Sequence, residues 1–282
     1  MTAPVPPAKP AGKWGDLATR TGSAIVLMPL ALYAIWEGGI WFQMFLGVLA
    51  VLIAHEWAAI AHDNSQRAFA VLALAGLSGV FVTETQGLDS ACLAILVLWL
   101  VSALMWLVNA GQGTIWSLLG VFYVGLPMIA LVLLREDETT GRWAVLWCFA
   151  IVWAADIFAY FFGRILGGPK LAPQLSPKKT WAGLLGAVVG AGLVAGLLAF
   201  FWGYNAFWLI LIAGAAALIE QVGDIFESAL KRRYGVKDSG NFIPGHGGVL
   251  DRVDGLLAVA LFIAVIGFIH RAGNASGGLL LW

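Results

Sequence analysis

Apolar runs of sixteen to twenty-four residues, separated by short polar stretches, follow one another along almost the whole chain. A helix that crosses the hydrocarbon core of a bilayer needs about 20 mostly apolar residues. Nine such segments can be drawn. They run from Thr21 to Trp36, Ile40 to Ile60, Ala68 to Thr83, Ala91 to Val108, Ile115 to Leu134, Trp143 to Ile165, Trp181 to Trp202, Ala206 to Ala229 and Val253 to Ile269. The first and third are short for a span, which leaves seven or eight as the alternative count. The pattern predicts an all-α fold, a polytopic integral membrane helix bundle of about nine transmembrane helices. Residues 1–20 read as a flexible cytoplasmic tail without a signal-peptide pattern. Residues 21–282 read as a single transmembrane domain.

Composition agrees with this pattern and sharpens it. Hydrophobic residues make up 61% of the chain and charged residues 11%, against about 45–50% and about 25% in soluble domains. Fourteen Trp, sixteen Phe and thirty-five Gly suit a bundle in which aromatics sit at interfaces and small residues let helices approach. Net charge is zero, so only the placement of charge is informative. With the N-terminus inside, Lys9, Lys13, Arg20, Arg67, Arg164, Lys170, Lys178, Lys179, Lys231, Arg232, Arg233, Lys237 and Arg252 share one face. These are thirteen of the sixteen basic residues; Arg135, Arg142 and Arg271 lie opposite. The positive-inside rule makes the basic face cytoplasmic. Cys92 and Cys148 sit in apolar runs, which excludes a disulfide scaffold, a Cys-rich zinc site and a CxxC redox motif.

Ionisable groups within spans are costly and mark cavities, pairs or pathways. In the eighth segment Glu220, Asp224, Glu227, Ser228 and Lys231 fall on one helical face by their spacing. In the sixth, Asp156, Tyr160 and Arg164 repeat every four residues. Two polar connections follow these segments on the same side. The first ends in Ser176-Pro177-Lys178-Lys179-Thr180 just before a helix start, an arrangement suited to an anion. The second runs from Ser228 to Asp254, with Lys231, Arg232, Arg233, Lys237 and Arg252 interleaved with Asp238, Asp251 and Asp254 around a Pro244-Gly245-His246-Gly247-Gly248 turn. Asp251 and Asp254, opposed to Asp224 and Glu227, make an oxygen-rich site suited to a hard cation such as Mg²⁺, with neighbouring Lys and Arg holding phosphates. A basic patch that merely binds anionic lipid does not account for the interleaved carboxylates.

Other patterns are excluded by their spacing. His55-Glu56 with His62 fails the HExxH zinc pattern because Ala59 stands where the second His belongs. His55 and Glu56 are expected to satisfy each other or a neighbouring helix. No GxxxxGK[ST] or GxGxxG occurs, so neither a P-loop nor a Rossmann turn holds a nucleotide. The aromatic-rich spans are bundle and interface residues, not platforms for nucleic acid.

The stretch from Ser228-Ala229-Leu230-Lys231-Arg232 through Lys237-Asp238 and the Pro-Gly-His-Gly-Gly turn to Asp251-Arg252-Val253-Asp254 resembles the signature of the phosphatidate cytidylyltransferase (CDP-diacylglycerol synthase) family. Gly223-Asp224-Ile225-Phe226-Glu227, Asp156, Ala159-Tyr160, Gly163-Arg164 and Ser176 to Thr180 are similar to the family as well. One departure is Ala182 after Trp181, where members commonly carry Glu. The resemblance implies a prokaryotic inner (plasma) membrane enzyme of phospholipid biosynthesis, with its catalytic site facing the cytoplasm. It would transfer CMP from CTP to phosphatidic acid, giving CDP-diacylglycerol and pyrophosphate, with Mg²⁺ and room for a second cation. Its implied metal ligands are Asp224 and Asp251, with Glu227 and Asp254 in support. Lys231, Arg232, Lys237, His246 and Arg252 would be the catalytic phosphate-holding groups, and Asp156, Ser176, Lys178, Lys179 and Ser228 would complete substrate binding. Partners are then CTP, phosphatidic acid and membrane lipids, with no nucleic acid; Gly-rich spans such as Gly183 to Gly196 leave a homodimer open. A lipid or phosphate transporter is the alternative of another class. A CDP-alcohol phosphotransferase is disfavoured because no Arg follows Asp254-Gly255 at the required place.

Overall fold

The computed structural model describes residues 13–61, 65–108, 115–243 and 247–282. Its helices, in chain order, are α1 (Lys13–Glu37), α2 (Gly39–Ala61), α3 (Gln66–Gln86), α4 (Leu88–Val108), α5 (Ile115–Arg135) and α6 (Gly141–Ile165), followed after a hairpin by α7 (Trp181–Trp202), α8 (Ala206–Arg233), α9 (Leu250–His270) and the short α10 (Ala275–Leu280). Among the described residues, eight helices, α2 to α9, are long and apolar enough to cross a membrane. The architecture is the all-α, multi-pass bundle that the apolar runs imply.

Three details differ from the sequence pattern. The third segment is a full-length helix, because Ser65 caps it through the Ala68 N–H at 3.4 Å and it continues to Gln86. The apolar part of α1 is the shorter stretch Ile25–Glu37, and α1 already begins at Lys13, inside the segment read as tail. The connection after α6 is an antiparallel hairpin, β1 (Lys170–Ala172) with β2 (Ser176–Thr180), pairing Lys170 with Thr180 and Ala172 with Ser176. Thr180 then caps α7 by accepting from the Gly183 N–H at 3.0 Å.

The helix ends sort into two polar layers. In one, Arg135 donates to the carbonyls of Ile35 at 2.7 Å and Trp36 at 3.0 Å, closing the end of α1. Asp137 receives the Asn274 amide at 3.0 Å, and the hydroxyls of Thr140 and Ser276 stand 2.9 Å apart. The end of α1, the α5–α6 connection and the segment after α9 therefore share one face. The end of α2, the hairpin and the α8–α9 connection meet at the other face.

Between the layers the core is aliphatic and aromatic. Trp57 is fully buried, donates to the Trp116 carbonyl at 3.2 Å and lies against Tyr123 and Phe226. Helices α6 and α7 approach closely through small residues: a Cβ on Gly186 would stand 2.5 Å from the Cβ of Phe162, and one on Gly190 would overlap the ring of Phe158. The opposite side of α7 exposes Leu185, Val189, Leu193 and Leu197, as a lipid-facing stripe should.

Candidate active site

The polar face of α8 is realised as its spacing predicts. Glu220 and Glu227 are 1% exposed, while Asp224, Ser228 and Lys231 are half-buried. This face is turned to α9, and Gly255 makes the crossing close: a Cβ there would meet Glu220 Cγ at 2.8 Å and Asp224 Oδ1 at 3.2 Å. Replacing Gly255 by any larger residue would push α9 off the carboxylates.

Carboxylate oxygens of Asp156, Glu220 and Asp224 all lie within 4.8 Å of one another. Asp156 reaches in from α6, exposed on the flank of the bundle. Gln221 donates to Glu220 Oε2 at 2.6 Å. Asp254 approaches from α9, its backbone carbonyl 3.0 Å from where a Cβ on Gly223 would stand. Lys179 closes the group from the hairpin, with its Nζ 2.5 Å from Asp224 Oδ2. Such closely spaced acids repel unless a cation or protons intervene.

A second group lies one turn along α8. Lys231 bridges Glu227 at 2.5 Å and Asp251 at 2.6 Å. Asp251 also accepts the backbone N–H groups of Ser239 and Gly248, both at 3.0 Å. The second oxygen of Glu227, Oε1, is buried without a hydrogen-bond partner among the described residues.

The expected metal ligands are thus divided. Asp224 belongs to the convergent group with Asp156 and Glu220. Asp251 and Glu227 are engaged by Lys231, and Asp254 stands at Asp224's side. Asp156, which the resemblance implies as a substrate-binding residue, lies beside these acids. Glu220 appears in the sequence only as part of a stripe, and its closeness to Asp156 shows once α6 crosses α8. Lys178, Arg232, Lys237 and Arg252 are exposed, and Arg232 donates to the Val236 carbonyl at 3.1 Å. Ser176 is half-buried at the start of β2. His246 lies outside the described residues.

His55 and Glu56 do not pair. His55 stacks edge-on against Phe69 and Phe242, whereas Glu56 is buried beneath the α8–α9 connection, bonded to Ser239, Val249 and Leu250.

Three carboxylates that converge within 4.8 Å, one of them in the bundle interior, supply the hard oxygen donors that a divalent cation takes. The residues present fit such an ion.

The sequence comparisons place this geometry in a known group. A profile of the cytidylyltransferase family matches residues 18–270. The phosphatidate cytidylyltransferase of Brucella suis biovar 1 (strain 1330) is 41% identical over 268 residues, covering 94% of this chain and 98% of that protein. The phosphatidate cytidylyltransferase of Brucella abortus (strain 2308) is 41% identical over 258 residues, 90% of this chain and 94% of that protein. The enzyme of the same name from Pseudomonas aeruginosa is 36% identical over 265 residues, 89% of this chain and 97% of that protein. The profile match spans all of α2 to α9, and the chain belongs to the cytidylyltransferase family.

Proposed function

We propose that this chain is a phosphatidate cytidylyltransferase. It joins CTP and phosphatidic acid to give CDP-diacylglycerol and pyrophosphate, on the cytoplasmic face of a bacterial inner membrane. The observation that carries the reading is the meeting of Asp156, Glu220 and Asp224 with Lys179 and Lys231 at one end of a membrane bundle. A substrate with a lipid half and a highly charged half needs such a junction.

The chemistry is consistent with this arrangement. A phosphate oxygen of phosphatidic acid forms a bond to the α-phosphorus of CTP, and the bond from that phosphorus to the bridging oxygen of pyrophosphate breaks. The attacking phosphate is already an anion, so no strong general base is required. The obstacle is bringing two polyanions together, which positioning and fixed positive charge overcome. Asp156, Glu220 and Asp224 would hold Mg²⁺, which when bound neutralises phosphate charge and orients the pyrophosphate leaving group. Lys231 has three N–H donors, two of them taken by Glu227 and Asp251, so one remains for a substrate phosphate. Held from two sides, the ammonium group gives up little freedom on binding. Lys178, Arg232, Lys237 and Arg252, exposed on the rim, and His246 would draw in and hold the triphosphate, with Ser176 and Ser228 completing the pocket. The thirteen basic residues that sort with this face support its cytoplasmic orientation.

The test is incorporation of label from CTP into lipid in the presence of phosphatidic acid and Mg²⁺. Purified protein and inside-out membrane vesicles should both incorporate it, and sealed right-side-out vesicles should not, because CTP cannot cross. Lipid movement without CTP turnover would favour a transporter, and label incorporated only from the outside would reverse the orientation.

A further inference from the structure

Glu56 carries a role outside the signature motifs. It lies near the end of α2, 183 to 194 positions from its three partners, and its side chain is 1% exposed. Both oxygens are used. Oε1 accepts the Val249 N–H at 2.8 Å, while Oε2 accepts the Leu250 N–H at 2.7 Å and the Ser239 hydroxyl at 3.0 Å.

Those backbone groups are the first orphan donors of α9, whose cap residue Val249 makes no side-chain cap bond of its own. A carboxylate at a helix N-terminus gains from both the N–H groups and the helix dipole. Glu56 therefore does from another helix what a local Ser or Asp cap does in most helices.

The contacts continue into the site. Ser239 Oγ accepts the Asp251 N–H at 3.3 Å, and the Asp251 carboxylate accepts the Ser239 N–H in return at 3.0 Å. Asp251 then holds Lys231 at 2.6 Å. An unbroken chain of bonds thus runs from α2 through Ser239 and the first turn of α9 to the ammonium group on α8.

Its anchor is stiff. Next along α2, Trp57 is fully buried and bonded to the Trp116 carbonyl. Space around the carboxylate is kept by two glycines: a Cβ on Gly240 would stand 2.6 Å from Oε1, and one on Gly248 2.7 Å from Oε2. A side chain at either position would displace the carboxylate.

We propose that Glu56 is a positioning residue for the reaction, fixing Asp251 and through it Lys231 without touching substrate. This rests on the reading of Lys231 as a phosphate-binding group. Glu56→Gln keeps the size but offers one acceptor oxygen and turns an NH₂ toward groups that donate. Turnover per folded molecule should fall about tenfold or more, while KM for CTP and for phosphatidic acid changes less than about threefold, and the weakened cap should lower the melting temperature in detergent only modestly. Ser239→Ala, a smaller change, removes the relay and should give the same kcat-only loss. The two together should lose no more than the worse single variant, because they act along one chain. Combined with Lys179→Met, which belongs to the other acidic group, Glu56→Gln should multiply losses.

Wild-type kcat in both Glu56→Gln and Ser239→Ala, or a loss that vanishes when turnover is expressed per folded molecule, overturns the proposal. Lys231→Met separates the two ways of failing. Full activity there removes the phosphate-binding reading and the positioning role that ends on it. A large loss there, beside wild-type kcat in the other two, removes the positioning role alone.

Discussion

The two polar faces of the bundle use similar residues to opposite ends. On the face formed by the α5–α6 connection and the segment after α9, several polar groups close on one another. Arg135 caps α1, Asp137 gathers Thr139, Thr140 and Asn274, and Thr140 meets Ser276. The Thr139 hydroxyl and the Thr140 N–H hold the Asp137 carboxyl well below the usual carboxylate range. On the other face Asp156, Glu220, Asp224, Glu227, Asp251 and Asp254 gather, and Lys179 and Lys231 form ion pairs within the group. A self-satisfied polar cluster stabilises helix ends. A surplus of negative charge needs cations or protons beside it, a need that the proposed Mg²⁺ and substrate site would meet.

Substitutions can break this contrast, and the largest effect belongs to the surplus. Asp224→Asn removes one charge from the convergent acids at constant size and frees Lys179. Turnover should drop roughly 10²-fold or more, equivalent to about 2.7 kcal/mol of barrier, and the Mg²⁺ concentration for half-maximal rate should rise. Near-normal Mg²⁺ dependence would take Asp224 out of the metal site.

On the opposite face the effect should be on stability alone. Asp137→Ala should cost about 1 kcal/mol of stability and leave turnover per folded molecule unchanged. Because the folded protein depresses the Asp137 pKa, its contribution is complete above the ordinary value of about 3.9. It is lost as pH falls below that value toward the folded one. The difference in melting temperature between wild type and Asp137→Ala should therefore be constant near neutrality and shrink in acid. A pH-independent difference, or a loss of turnover, would dissolve the distinction between the faces.

The smallest effect is expected at Ala182, half-buried in the first turn of α7. Ala182→Glu should change turnover by less than about tenfold, under about 1.4 kcal/mol, since three acids already converge nearby. A large gain would mean that the site lacks a group that the family's usual Glu supplies.

What the sequence made legible follows from how far each interaction reaches along the chain. The stripe on α8 is a local repeat, so Asp224, Glu227 and Lys231 could be placed on one face before any fold was known. The lateral crossing that joins Asp156 to Glu220 leaves no periodic trace, and Glu220 was seen only as one more acid in a row. The helix-start spacing of Asp251 and Asp254 and the resemblance point to Asp251 as a metal ligand, but the neighbours that bind it, Ser239, Gly248 and Lys231, are set by the turn. Glu56 shows the limit most clearly, because its partners are its tertiary neighbours alone. The hairpin was hidden for another reason: its two strands hold three and five residues, Pro173 and Pro177 lie within it, and neither strand alternates apolar and polar residues.

The close contact of α6 with α7 sets two tempos of evolutionary drift within a single helix. Along the side carrying Leu185, Val189, Leu193 and Leu197, one apolar side chain can replace another with little consequence, because acyl chains adapt to whatever shape they meet. Along the side carrying Gly183, Gly186 and Gly190, even one added methyl would press on Ala159, Phe162 or Phe158. Those residues share a rod with Asp156, so such a change would carry the carboxylate away from Glu220. Lineages should therefore vary freely on the outward side of α7 and stay frozen on the inward side, for the sake of carboxylates that α7 does not carry.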